Sequence, residues 1–446
     1  MILSLRCENY KCFADTGIIK LAPLTILAGE NNSGKSSIIQ ALHLPAMTIE
    51  SEDPRICLKL LHKDYDYGSF RDITFQHDES KFITLSFGAR FDITILHRDR
   101  LKPKTIDATI KLTYGYLPKR KEIYITKFVL EDLEGESLHI TPRKYSDSQN
   151  VIMRGHEDKA SYLSRLIGRR GFMYRPKFDP YVAISRLEKH YGGKIARNVF
   201  NGLAHNYQIV RGFDDCFRKI QHIGPLRIPP SRSYLSSGEV ASVFGRRGEF
   251  ALQTYSALLQ RGRKEDLKKI ALINRELYRL GFIRNVAVQR FGTRYYELWT
   301  EHAKSSFRAN LADTGFGASQ VLPIIISLFT SANGSTLLYE QPEIHLHPAA
   351  QAELGTVFAN ACSSEKCILI ETHSESLILR IQTEVARGKL KPKDVQIYYI
   401  KPNKEGHEAI PIPLNEKGEF LEKWPKGFFE ENYQESLKLF AARQEG

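Results

Sequence analysis

The sequence predicts an α/β fold in which a mixed or parallel sheet core carries an antiparallel β lobe and an inserted helical region. Three observations predict it. Apolar strands alternate with helices near both ends of the chain, and parallel strands need such crossovers. Between 70 and 142, several runs alternate apolar and polar residues with the two-residue period of half-buried antiparallel strands. From 145 to 220 that alternation stops, and Lys, Arg, Tyr and Phe become frequent.

The chain opens as strand, turn and strand, with Ile18-Ile19-Lys20-Leu21 and Leu24-Thr25-Ile26-Leu27-Ala28 ahead of a glycine-rich loop and a helix. In the β lobe, Phe82 to Phe87, Phe91 to Leu96 and Ile106 to Tyr114 read as strands. The inserted region shows helical stretches at 159–167 and 182–190. A second helical run from Phe250 to Leu280 precedes strands at Val286 to Arg290 and Tyr295 to Thr300. From Gly315 the order is glycine-rich turn, helix through Leu328, strand Ser335 to Tyr339, helix Pro348 to Ala361 and strand Cys367 to Glu371. No repeat, low-complexity segment or long heptad stretch interrupts this order.

At 446 residues with 42% hydrophobic content, the chain is long enough for two or three domains and a sizeable core. The longest mainly apolar run, Val321 to Phe329, is about half the ~18 residues of a membrane span, so no membrane partner is expected. The polar turn at Glu8-Asn9 is unlike a signal peptide and points to the cytoplasm. Six cysteines form no C-x-x-C pair and read as free buried thiols. A net charge of +13 favours an anionic partner, nucleic acid or an acidic protein surface, or describes a solvated basic face.

Four segments carry chemistry. Gly29-Glu30-Asn31-Asn32-Ser33-Gly34-Lys35-Ser36, followed by Ser37, fits the Gly-x-x-x-x-Gly-Lys-Ser loop. Its backbone N–H groups and the following helix N-terminus cradle phosphates, Lys35 reaches the β and γ phosphates of ATP, and Ser36 ligates Mg²⁺. Leu337-Leu338-Tyr339-Glu340 is an apolar strand ending in an acid, the place of a carboxylate that holds the metal's water shell. Ile368-Leu369-Ile370-Glu371-Thr372-His373 delivers His373 to the same sheet edge, within reach of the γ phosphate. Finally, Asp313 to Gln320 places Gly315, Gly317 and Ser319 before a helix, a second anion-receiving N-terminus. One site per chain does not need two such loops. In a head-to-tail homodimer the second would face the γ phosphate on the partner's first loop, so that ATP joins the subunits.

The ordered set resembles ABC-type ATPases of the structural-maintenance, RecF and overcoming-lysogenisation-defect branch, over nearly the whole chain. The opening Leu5 to Phe13, the GENNSGKSS loop and Glu340 to Pro348 look like that branch rather than transporter ATPases, and the insertion and the lack of an LSGGQ-like string also speak against a transporter. Ile412-Pro413-Leu414 and Trp424 to Phe429 are similar to a small C-terminal domain of unknown function in some bacterial members, which are commonly encoded beside effectors of anti-phage systems. The Trp424 to Phe429 motif reads as packing rather than binding. By this resemblance Gly315, Gly317 and Ser319 stand in the signature loop and His373 is the switch histidine. The usual catalytic glutamate is replaced by Gln341, which cannot accept a proton. Either Glu343 serves as base, or Gln341 only positions water and ATP acts as a lasting clamp. His345 and His347 alternate like a metal pair on a strand, but no third ligand accompanies them.

The expected division is an N-terminal ATPase lobe over 1–142, an inserted basic helical region over 143–285, a C-terminal ATPase lobe over 286–400 and a small domain over 401–446. The function implied is that of an ATPase that dimerises, or forms a higher homo-oligomer, on ATP. It would serve as sensor or scaffold of an anti-phage system with a separate nuclease or toxin effector, since the stretch from 374 is short for an added nuclease domain. The rival is a RecF-like clamp on DNA. For it, basic clusters at Lys119-Arg120-Lys121, Arg169-Arg170, Arg246-Arg247 and Arg261 to Lys264 offer phosphate contacts, with Tyr116, Phe172 and Tyr174 for stacking.

Overall fold

The structure, a computed structural model, describes residues 1–97, 100–133, 135, 137–142, 149–153, 167–170, 173–176, 188, 193–235, 241, 243–292 and 294–422. It is mixed α/β, and the chain divides into two compact units. One holds Met1–Leu21, Ser37–Ile220 and Pro402–Ala409; the other holds Ala22–Ser36, Gln221–Lys401 and the chain from Ile410.

The second unit is built on a sheet whose neighbouring strands run Ile220–Ile223, Thr336–Glu340, Cys367–Glu371, Leu24–Gly29 and Val395–Asn403. The last four are parallel. Leu24–Gly29, Thr336–Glu340 and Cys367–Glu371 are buried at every position, as a parallel strand covered on both faces requires. That is why each reads as an unbroken apolar run. Register pairs Glu340 with Glu371, Leu27 with Glu371 and Gly29 with Ile400, so the carboxyl ends of these strands finish side by side.

Helices Ala251–Arg261, Lys264–Arg279 and Phe316–Thr330 share one apolar core with this sheet. The run expected from Phe250 to Leu280 is thus two helices, broken at Gly262, which takes the left-handed cap conformation. The two strands expected after it run Ile283–Phe291 and Tyr295–His302, and they pair antiparallel.

The first unit carries the antiparallel lobe. Strand Ile83–His97 pairs with Arg100–Leu117 along its whole length, and Ile2–Tyr10 and Glu122–Asp132 flank the pair. Leu85, Phe87, Ile110 and Leu112 face the core, while Arg90 and Asp107 pair on the exposed side at 2.6 Å. Helix Gly193–Arg218 packs on the apolar face through Phe213 and Phe217. Their rings meet Phe91 and Phe87 edge-on at 5.4 and 5.1 Å.

The stretch expected to be helical before this helix contains strands Gln149–Met153, Ile167–Arg170 and Met173–Pro176. The first extends the lobe by pairing with Ser137–Pro142. At a sheet edge a short strand needs little alternation, which hid it in the sequence. The helix expected at 159–167 lies outside the described residues except for Ile167, which is in a strand, and that at 182–190 lies outside them except for Glu188. Trp424 to Phe429 and Phe172 also lie outside them.

Two of the expected stacking aromatics are already used. Tyr174 is buried against Phe128, and Tyr116 stacks on Phe70 at 5.4 Å. Packing inside the lobe claims both rings, so base stacking would have to displace it. Of the basic clusters, Lys119-Arg120-Lys121 is exposed, whereas Arg261 pairs with buried Asp266 at 2.9 Å. None of the six cysteines is in a disulfide; four are buried and two half-buried. Among the described residues no helix is long and apolar enough to cross a membrane.

Phe217 fills the seam between helix and lobe with no exposure. Phe217→Ala is expected to lower the stability of this unit by about 3–5 kcal/mol. Denaturant unfolding followed by a probe in the lobe measures it, and a loss below about 1 kcal/mol would show that the seam repacks.

Candidate functional site

The loop Gly29 to Ser36 leaves the carboxyl end of its strand through two glycines with positive φ. Gly29 has φ +145°, and a side chain there would collide with the Ile400 carbonyl oxygen of the neighbouring strand. Only glycine fits so close to another backbone. Gly34 has φ +99° and Asn32 +59°, so the loop curls on itself while Asn31 and Asn32 stay exposed and Ser33 is buried. Lys35 starts helix Lys35–Ile49 and is buried. Its ammonium donates to the carbonyls of Gly29 at 3.0 Å and Glu30 at 2.5 Å, and to Ser33 Oγ at 3.3 Å. Burial lowers its pKa, with Glu371 the largest opposing influence. Ser37, half-buried one residue beyond Ser36, hydrogen-bonds the Cys12 thiol.

Ser36 Oγ donates to Glu371 Oε2 at 2.8 Å. Glu371 is not among the site residues expected from the sequence, yet it ends an apolar strand just as Glu340 does, and the same reasoning applies to it. Burial first, then the neighbouring Glu340 charge, pushes its pKa up to about 7. Glu340 is also buried, and its Oε1 accepts from His222 Nε2 at 2.9 Å. Glu343 lies inside the turn beyond Glu340. Its Oε1 accepts from the His373 backbone N–H at 2.9 Å, and burial raises its pKa. His373 is half-buried, and burial together with the Lys35 charge lowers its pKa, so the ring is neutral at pH 7.

Gln341 stands at the bend between Glu340 and Glu343 with φ +44°. Its N–H donates to the Glu371 carbonyl at 2.8 Å, and its own carbonyl accepts from Arg227 Nη2 at 3.0 Å. The same Nη2 donates to the Glu340 carbonyl at 3.0 Å. A side-chain-bearing residue in the left-handed region costs about 1–2 kcal/mol, and a hydrogen bond from a charged donor contributes about 1.5–3 kcal/mol. The two bonds from Arg227 therefore outweigh the strain. Burial pushes the Arg227 pKa down to about 10 against the opposing charges of Glu343 and Glu340. His222 and Arg227 lie far from the loop in sequence and fit no recognisable spacing, so only the fold reveals them.

The second glycine-rich segment begins helix Phe316–Thr330. Gly315 is its exposed N-cap, no side chain caps the helix, and its first turn has no acid. A side chain on Gly317 would press within 2.9 Å of the His345 carbonyl, so this helix start sits tightly against the turn that follows Glu340. Ser319 is buried. Its hydroxyl is thus on the covered side of the helix, and Gly315 is the outward-facing member of the three. Asp313 is held by Arg232 through two bonds of 3.0 and 2.8 Å. His345 and His347 lie in the turn, not on a strand, and His347 caps helix Pro348–Ala361 by accepting from the Ala349 N–H.

Glu371 gives a signed pH test. Its carboxyl titrates near 7 when folded and near its ordinary 4.5 when unfolded. The folded state binds the proton more tightly, so stability falls as pH rises from 4.5 to 7 and stays lower above. Glu371→Gln keeps an oxygen for Ser36 and is expected to be more stable than the wild type at about pH 8, by up to ~3 kcal/mol, with the gain largely gone at about pH 5. Denaturant midpoints at the two pH values decide it, and an equal gain at both would sink the assignment.

Residues 1–163 and 255–378 match the family described as AAA ATPase domain, and residues 390–439 match a protein family of unknown function (DUF3696). No curated protein matches the sequence. Among solved structures, the chain is similar to an SmcHead bound to the C-winged helix domain of ScpA, with 11% identity over 93% of this chain and 98% of that one and a TM-score of 0.39. It is also similar to an Smc head domain with an extended coiled coil, bound to the C-terminal domain of ScpA and derived from Pyrococcus furiosus, with 9% identity over 99% of both chains and a TM-score of 0.42. An SMC head domain from Thermotoga maritima shows 9% identity over 93% of this chain and 99% of that one, with a TM-score of 0.37. The AAA match includes the loop at Gly29 to Ser36 and both strands that end in acid, over more than half of the chain, and the protein belongs to the AAA ATPase domain family.

Proposed function

We propose that this chain binds ATP with Mg²⁺ at Gly29 to Ser36, hydrolyses it slowly, and pairs with a second copy when ATP is bound. One observation carries the reading: the register that sets Glu340 beside Glu371 also brings Glu371 onto the Ser36 hydroxyl, at the mouth of a loop that only glycine can enter. A hydroxyl and two carboxylates are hard oxygen donors suited to Mg²⁺, with phosphate oxygens and water completing its shell. Ser36 and Glu340 would hold the ion, joined by Glu371, and the metal would neutralise phosphate charge and offset the repulsion between the acids. Lys35 would turn from the loop carbonyls to the β and γ phosphates.

Slow turnover is supported by what surrounds the water position. Gln341 has no proton-accepting carboxylate, and Glu343 is buried with one oxygen engaged by the His373 N–H. His373, neutral, is suited to donate a hydrogen bond to the γ phosphate. ATP-dependent pairing is supported by the uncapped, acid-free helix start at Gly315, which offers backbone N–H groups to an anion. The role as sensor or scaffold of an anti-phage system, with a separate nuclease or toxin effector, rests on the sequence resemblance and on the C-terminal match to a family of unknown function.

Lys35→Ala is expected to weaken ATP binding by at least ~100-fold and to leave the protein monomeric with ATP present, whereas the wild type shifts to a dimer. Light scattering after size exclusion reads this, and a wild type whose mass ignores ATP would end the pairing proposal. Glu343→Gln keeps an acceptor for His373 and is expected to hydrolyse ATP within about threefold of the wild type. A fall of ~100-fold or more would make Glu343 the base.

A further inference from the structure

The segment from His222 to Arg227 grips the end of strand Thr336–Glu340 twice. His222 bonds the Glu340 carboxylate at 2.9 Å, and Arg227 Nη2 donates to the carbonyls of Glu340 and Gln341, each at 3.0 Å. One nitrogen reaches two successive carbonyls only where the backbone turns both to the same side. Gln341 makes that turn with φ +44°, a conformation that glycine adopts freely and glutamine adopts under constraint.

Arg227 is a poor filler for the place it occupies. It is 3% exposed, and its Nε and Nη1 have no hydrogen-bond partner among the described residues. The Oε2 of buried Glu343 has none either. An apolar side chain of similar volume would burden the fold less than a guanidinium with idle donors. What an apolar side chain lacks is the bridge to the two carbonyls and a positive charge facing Glu340 and Glu343.

We propose that Arg227 is a positioning residue for ATP hydrolysis: by bridging the carbonyls of Glu340 and Gln341 it holds Gln341 in the backbone orientation that aims its amide at the attacking water. Arg227 touches no reacting atom and works through Gln341. The inference rests on the reading that Gln341 borders the hydrolytic water.

The test compares wild type, Arg227→Met, Gln341→Ala and the double variant as full chains. Binding is read with a fluorescent ATP analogue and hydrolysis under single-turnover conditions. Arg227→Met is expected to bind within about threefold of the wild type and to hydrolyse at least ~10-fold more slowly. In the double variant it should add nothing to the loss caused by Gln341→Ala, because both changes remove one device. An unchanged rate in Arg227→Met overturns the proposal. So do losses that multiply in the double variant, or a loss of affinity as large as the loss of rate. If Arg227→Met does not fold, Arg227→Lys replaces it, keeping the charge but lacking the planar fork, with an expected fall of about 3- to 10-fold and unchanged affinity. An unchanged rate for Arg227→Lys then overturns the proposal. A wild type that binds ATP and never hydrolyses it removes the underlying reading together with the proposal. A wild type that hydrolyses ATP, matched by its Arg227 variants, removes the proposal alone.

Discussion

The parallel register of four strands is the constraint on which the rest depends. Pairing Leu27 with Glu371 and Glu371 with Glu340 makes three segments from distant parts of the chain end along one edge, and Gly29 lies beside Ile400 of the fourth strand. Every side chain of the proposed site is placed relative to that edge. The loop can leave it only through a glycine, because the Ile400 carbonyl fills the space where a Cβ would stand. Ser36, on the first turn of the helix that follows, then arrives beside a carboxylate by necessity.

Such convergence has an electrostatic cost. Glu340, Glu343 and Glu371 are all buried, and burial disfavours the charged forms of Glu343 and Glu371. The surrounding groups are arranged to offset it: the Ser36 hydroxyl on Glu371, the His222 ring on Glu340, the His373 N–H on Glu343 and the Arg227 guanidinium behind two of them. Backbone strain falls on Gln341, the position between Glu340 and Glu343. The local conflict and the proposed chemistry share a residue.

Much of the fold was legible because its determinants are local. Unbroken apolar runs identified the buried parallel strands, alternation identified the lobe, and the glycine spacing of the loop identified the phosphate cradle. What escaped depends on partners remote in sequence. Strand Gln149–Met153 exists because Ser137–Pro142 offers it an edge, and Ser319 is buried because of where its helix packs. Tyr116 and Tyr174 looked like exposed stacking platforms only while their neighbours Phe70 and Phe128 were unknown. Glu371 was readable by the argument that found Glu340. His222 and Arg227 were not, since nothing in their spacing distinguishes a residue that supports a site from one that fills a core.

The strand order has a further consequence for how the molecule is made. Leu24–Gly29 leaves the ribosome long before its two sheet neighbours, Cys367–Glu371 and Val395–Asn403, which lie far downstream in the sequence. At ~5–20 residues per second, on the order of tens of seconds separate the synthesis of this apolar strand from that of either partner. Throughout that interval both of its edges are unpaired, and the nascent chain has to be shielded from pairing with others. The sheet edge that carries the nucleotide loop is therefore completed only by strands synthesised long after the loop itself.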